Sequence, residues 1–190
     1  MKSVLFKLSG AIFSLLLITA VFFASTAYAA DAAGAVPFPK RMITYKGTTA
    51  PIKAYLASEQ ASADKFADFS AKLTKSSEAL RIYITTENLV NGDNEIGKSG
   101  DQIFGRNKIK KFFIGPDKKK IKELQTTLNL GRNRINQLTI IKSQIEKNQT
   151  PELATEYSTL IDEITANNST LTDAIDKESK SFSLFGWAIK

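Results

Sequence analysis

Three stretches of this chain place apolar side chains three and four residues apart, and no segment alternates them long enough to make a strand. That periodicity confines the fold to helices that bury one stripe each against one another. The first stripe runs through Ile52, Leu56, Ala63, Phe66, Phe69, Leu73, Leu80, Tyr83 and Ile84. It predicts one long helix over residues 51–90, with one break near 58–62 allowed by the pattern. Thr48 or Thr49 can cap it, Pro51 suits its first turn, and Asn91-Gly92 marks its end. The second stripe, over residues 116–148, consists of Ile121, Leu124, Leu128, Ile135, Leu138, Ile141 and Ile145, with Gly131 in an apolar slot.

Thr150-Pro151-Glu152 then opens a third helix with a cap and a proline. Its stripe is Leu153, Tyr157, Leu160, Ile164, Leu171 and Ile175, with Phe182 as a candidate extension and Asn167 as a polar interruption. The link between the second and third helices is so short that the two must be antiparallel neighbours. The expected fold is all-α: an elongated three-helix bundle or coiled-coil-like helical hairpin after an N-terminal signal peptide. Its helices would be on the order of 45–60 Å long.

The signal peptide is read from the first 29 residues. Lys2 and Lys7 give a positive start, residues 11–24 are apolar or small apart from Ser14 and Thr19, and Ala27 and Ala29 supply small side chains before a cleavage after Ala29. A retained signal anchor is the competing reading. Residues 30–50 form an extended lead-in with two prolines, residues 51–181 the helical domain with a basic-aromatic connector at 101–115, and residues 182–190 an apolar tail. The expected location is periplasmic, cell-envelope or secreted.

Composition narrows the chemistry. The chain has no cysteine and no histidine, which excludes disulfides, thiol nucleophiles, Cys/His zinc sites and imidazole bases. The helical carboxylate pairs Glu152/Glu156 and Asp173/Asp176 lack the Glu-x-x-His partner of di-iron bundles and suit surface ion pairs. Asp93, Glu95 and Asp101 lack the ligand order of an EF-hand.

Gly92-Asp93-Asn94-Glu95-Ile96-Gly97-Lys98-Ser99 matches the phosphate-loop pattern letter for letter. It comes after a helical stripe instead of a strand, and two acids would face the phosphates, so it reads as a glycine-rich connection between helices. Ser62-Ala63-Asp64-Lys65 matches S-x-x-K without its companion motifs. No catalytic residue, metal ligand or cofactor is expected.

Charge is concentrated. Between residues 106 and 122, eight basic side chains (Arg106, Lys108, Lys110, Lys111, Lys118, Lys119, Lys120 and Lys122) stand against Asp117 alone, and this surplus equals the +7 of the whole chain. Ile109, Phe112, Phe113 and Ile114 interleave with them. Such a segment suits an anionic membrane surface, with lysines at the headgroups and rings below, or an acidic cell-envelope polymer; a nucleic acid is the weaker candidate. Phe185 and Trp187 make the tail a docking element.

The functional expectation is therefore an exported, non-catalytic helical scaffold or binding protein at the cell envelope. The helical stripes also allow a protein partner or a homo-oligomer. A membrane-active protein resembling α-helical pore formers in outline is the first alternative, and the phosphate-loop reading is the second.

Overall fold

The computed structural model describes residues 38–181. The expected signal peptide and the tail at 182–190 lie outside the described residues. Within them the chain is all-α: α1 (Ala50–Ser70), α2 (Ser76–Phe104), the short α3 (Lys108–Ile114), α4 (Lys118–Asn148) and α5 (Pro151–Ser179). α1 packs on α2 and α5, and α4 packs on the same two. The four long helices therefore close into a ring of neighbours that alternate in direction. No described helix is long and apolar enough to cross a membrane.

There are thus four long helices where the apolar stripes suggested three, because residues 51–90 do not form one helix. The chain breaks over residues 71–75, past the break anticipated at 58–62. No glycine or proline lies there, and the cause is tertiary. Leu73 is buried in the core, and Glu78, at the start of α2, accepts hydrogen bonds from the Asn148 (2.6 Å) and Gln149 (3.0 Å) amides at the α4–α5 turn. The break resets the phase. Ile82, Leu89 and Val90 face inward, Leu80 and Tyr83 are half-buried, and Ile84 is exposed.

α2 also does not stop at Asn91-Gly92 but continues to Phe104. Its glycines serve close packing: a Cβ at Gly97 would come within 2.6 Å of the Tyr45 ring, one at Gly100 would strike Ile52, and one at Gly92 would strike the Arg134 guanidinium.

α4 and α5 keep to their stripes. Every apolar position read for α4 is buried, Gly131 included. The Thr150 hydroxyl accepts from the Leu153 amide, and Asp117 caps α4 by accepting from the Lys120 amide at 3.2 Å. The buried asparagine of α5 is Asn168, one residue beyond the Asn167 expected in the stripe.

Residues 38–49 form the extended lead-in, and it lies as a strap along α1 and α2. Phe38 stacks on Tyr83 at 4.6 Å and Lys40 pairs with Asp68. The Ile43 amide donates to Gln60, and the amides of Thr44 and Tyr45 donate to Asn94. At the far end of the strap, Asp101 accepts from the backbone amides of Thr48 (2.5 Å) and Thr49 (2.8 Å), the Thr49 hydroxyl (2.6 Å) and the Tyr45 hydroxyl (2.8 Å). Burial opposes ionisation of Asp101, but these donors prevail and hold it at about 2. Thr49 is thus the N-cap residue of α1, yet its side chain serves Asp101 instead of the helix.

The core falls into two apolar clusters. One contains Phe66, Phe69, Leu89, Ile135, Tyr157 and Ile164; the other contains Ile52, Leu56, Ala63, Val90, Ile96, Leu128 and Leu171. Gly131 and Asn168 sit between those two sets, and Glu59, Ser62 and Asp93 sit near that boundary among members of the second; all five are buried on the four long helices. The bundle therefore has a polar layer across its middle. The strap and its contacts use only residues 38–101, so a chain beginning at Ala30 retains every one of them.

Candidate functional site

The basic-aromatic segment becomes a defined structure at one end of the bundle. Asn107 caps α3 by accepting from the Ile109 amide at 2.8 Å. Gly115 ends it with φ +87, a conformation that side-chain-bearing residues rarely adopt. The Arg106 guanidinium donates to the Gly115 carbonyl at 2.8 Å, bracing the turn before Pro116.

α3 keeps its apolar side chains out of the core: Ile109 is 68% exposed, Phe112 48%, Phe113 44% and Ile114 45%. The two rings meet edge to face at 5.3 Å. Four large apolar residues together on one exposed turn and a half differ from the isolated surface hydrophobes of any soluble protein.

The nominated basic residues separate into two groups. Lys111 turns inward and pairs with Glu178 of α5 at 2.8 Å, with both side chains less than a fifth exposed, so it fastens α3 to α5. Arg106 braces the Gly115 turn, and Lys120 donates to Gln102 of α2. These three act within the fold instead of on a ligand. Lys108, Lys110, Lys118, Lys119 and Lys122 are exposed, and no described acidic group lies within ion-pair distance of any of them. Lys118, Lys119 and Lys120 open α4, where the helix dipole disfavours cations. Phe185 and Trp187 lie outside the described residues.

A second group went unread in the sequence. Tyr55 and Glu59 of α1, Asp93 of α2 and Arg134 of α4 meet at the polar layer. The Tyr55 hydroxyl donates to Asp93 Oδ1 at 2.7 Å. Glu59 is 2% exposed, and neither carboxyl oxygen has a hydrogen-bond partner among the described residues. Burial pushes Glu59 up to about 9, and the neighbouring Asp93 charge adds to this; the Asn167 amide draws it partly back without reaching hydrogen-bond geometry. Burial likewise raises Asp93, to about 7, against the pull of the Tyr55 hydroxyl and the Arg134 charge.

The pair therefore keeps a proton at neutral pH. The signal for it was present: Glu59 fills the stripe slot between Leu56 and Ala63, and Asp93 the slot between Val90 and Ile96.

The motif matches come apart in the fold. Residues 92–99 lie inside α2, so their backbone amides serve the helix ladder, and Lys98 pairs with Glu95 at 3.2 Å. Ser62 is buried while Lys65 points outward to Glu163. Asp93 and Asp101 sit in separate hydrogen-bond networks and Glu95 is exposed; no described group of three or more Asp or Glu residues is placed to hold a metal ion. Comparison of the chain with protein-family models, curated proteins and solved structures finds no match.

Proposed function

We propose that this is an exported, non-catalytic helical binding protein that contacts an anionic lipid surface at the cell envelope through α3 and the start of α4. The supporting observation is the exposure of Ile109, Phe112, Phe113 and Ile114 beside exposed Lys108, Lys110, Lys118 and Lys119. Lysines alone would suit any polyanion. The aromatic and aliphatic side chains between them favour lipid, where they leave water while the ammonium groups stay with the headgroups. The three lysines that open α4 repel its dipole, and an anion above them would relieve that cost.

Each lysine near an anionic bilayer contributes about 1 kcal/mol. Replacing Lys108, Lys110 and Lys118 by Glu should therefore weaken binding to phosphatidylglycerol-containing vesicles by at least about a hundredfold, and wild-type binding should fall with added salt. Lys111 is left out because reversing it would break its pair with Glu178. Co-sedimentation decides the matter: no wild-type binding to anionic vesicles refutes the reading. Binding to an acidic cell-wall polymer but not to vesicles would assign the patch to a polymer, and leakage of a vesicle-trapped dye would favour the pore-forming alternative.

A further inference from the structure

We propose that the polar layer is a buried calcium site, built by Glu59 of α1, Asp93 of α2 and Asn168 of α5. It is separate from the lipid-facing end and does not depend on it. A set of buried oxygens with nothing to accept from carries the inference. Glu59 and Asn168 are 2% and 3% exposed, and Glu59 Oε1, Glu59 Oε2 and Asn168 Oδ1 have no hydrogen-bond partner among the described residues. Leaving buried acceptors unpaired is costly, and folded proteins rarely do it without a bound water or ion.

The helices bring these groups to one level. The Asn167 amide donates to Ser62 Oγ at 3.4 Å, which sets α5 at Asn168 beside α1, one turn past Glu59. The Tyr55 hydroxyl donates to Asp93 Oδ1 at 2.7 Å, which sets Asp93 beside the same stretch of α1. Across the bundle, Arg134 of α4 donates to the Asn88 carbonyl and lies against α2 at Gly92, so Gly131, one turn earlier, stands opposite Asp93. A Cβ at Gly131 would meet only Asn168 Oδ1, at 3.7 Å. Three helices thus supply oxygen, and the fourth supplies room.

The chemistry of the donors selects the ligand. All three unpartnered atoms are acceptors, so the missing partner is a donor or a cation. A single water has two hydrogens to offer three acceptors, and no charge to set between two carboxyl groups. Arg134 is turned to the Asn88 carbonyl at the rim, so its charge reaches Asp93 only from outside the layer. Two carboxylates match a divalent charge. With oxygen donors alone, and no histidine or cysteine in the chain, the site suits a hard cation instead of zinc or copper. Calcium takes irregular sets of carboxylate and amide oxygens, whereas magnesium demands a strict octahedron and keeps waters that this buried layer would have to admit.

Equilibrium dialysis of residues 30–190 against radioactive calcium, at pH 8 in excess magnesium, tests the site. The expected result is one calcium per chain and a higher urea midpoint in calcium than in chelator. Glu59→Gln should bind at least tenfold more weakly, and Glu95→Gln, which alters an exposed acid on the helix of Asp93, should bind as wild type does. Glu59→Gln removes a buried charge and keeps its shape, so it should fold at least as well without calcium, which circular dichroism checks. Asn168→Leu deletes the unpartnered amide oxygen and should weaken binding in the same way, which keeps the test in force should the first variant misfold.

Failure of the wild type to retain calcium overturns the proposal. So does retention that a folded Glu59→Gln or Asn168→Leu leaves intact. Calcium that binds without raising the urea midpoint belongs to surface carboxylates and overturns it too. None of these outcomes bears on the lipid reading, because no vesicle is present.

Discussion

Raising the pH from about 5 to about 8 should loosen this bundle. In the unfolded chain Glu59 and Asp93 titrate near their ordinary values of 4.5 and 3.8, whereas in the folded chain burial holds them near 9 and 7. Between those limits the folded state binds more protons than the unfolded state. Stability therefore falls as pH rises, and is fully present only below the ordinary carboxylate range. One proton retained on folding costs about 1.4 kcal/mol per pH unit.

Across three units Glu59 alone removes on the order of 4 kcal/mol, a large share of the roughly 5–15 kcal/mol that stabilises a typical domain. Asp93 adds to the loss over the lower part of the window. The window is clean because the chain has no histidine, the one side chain that ordinarily titrates there. Urea unfolding followed by far-ultraviolet circular dichroism should show the midpoint dropping steadily from about pH 5 to about pH 8. Glu59→Gln should flatten most of that slope. A wild-type midpoint that stays level or rises, or a Glu59→Gln protein with an unchanged slope, would refute the assignment.

The opposite pH dependence is expected at acid. Asp101 is held at about 2, so its ties to the strap are fully present above the ordinary value of 3.8 and are lost as pH falls towards 2. Asp101→Ala should release the strap, cost about 2 kcal/mol in urea unfolding, and expose the chain near Lys46 to protease. Gly131→Ala should stabilise by roughly 1 kcal/mol from helix propensity, because the new methyl would meet only Asn168 Oδ1, at an ordinary 3.7 Å. Gly100→Ala should do the reverse and cost about 2 kcal/mol, since the added methyl would drive into Ile52; thermal unfolding of the two variants side by side tests both. Glu178→Gln should speed amide exchange in α3 with little change in α4, because it removes the charge that fastens α3 to α5.

How much of the fold could be read in the sequence depends on what decided each element. α4 and α5 rest on local signals: a continuous stripe, a capping Thr150 and a proline at the first position, and the structure uses all of them. The turn at residues 71–75 depends on where Leu73 is buried and on what Glu78 reaches across the bundle. No turn residue advertises it, and one missed turn shifted the phase of everything to Phe104. The glycines of α2 suggest a loop because glycine weakens helices. They are instead the positions where Ile52, Tyr45 and Arg134 press closest. For the basic-aromatic end, sequence identified the segment but could not separate exposed lysines from Lys111, whose partner lies 67 positions away in the chain.

The strap determines how this molecule can be mounted. It runs antiparallel to α1, from Phe38 beside Tyr83 to Thr49 beside Asp101, so the chain enters the bundle at the end opposite α3. It leaves at the α3 end, after Glu178. The chain's entry and exit are thus separated by the length of the bundle, so anything joined ahead of Phe38 and anything that engages α3 would meet the molecule at opposite ends, and the bundle would act as a spacer between them.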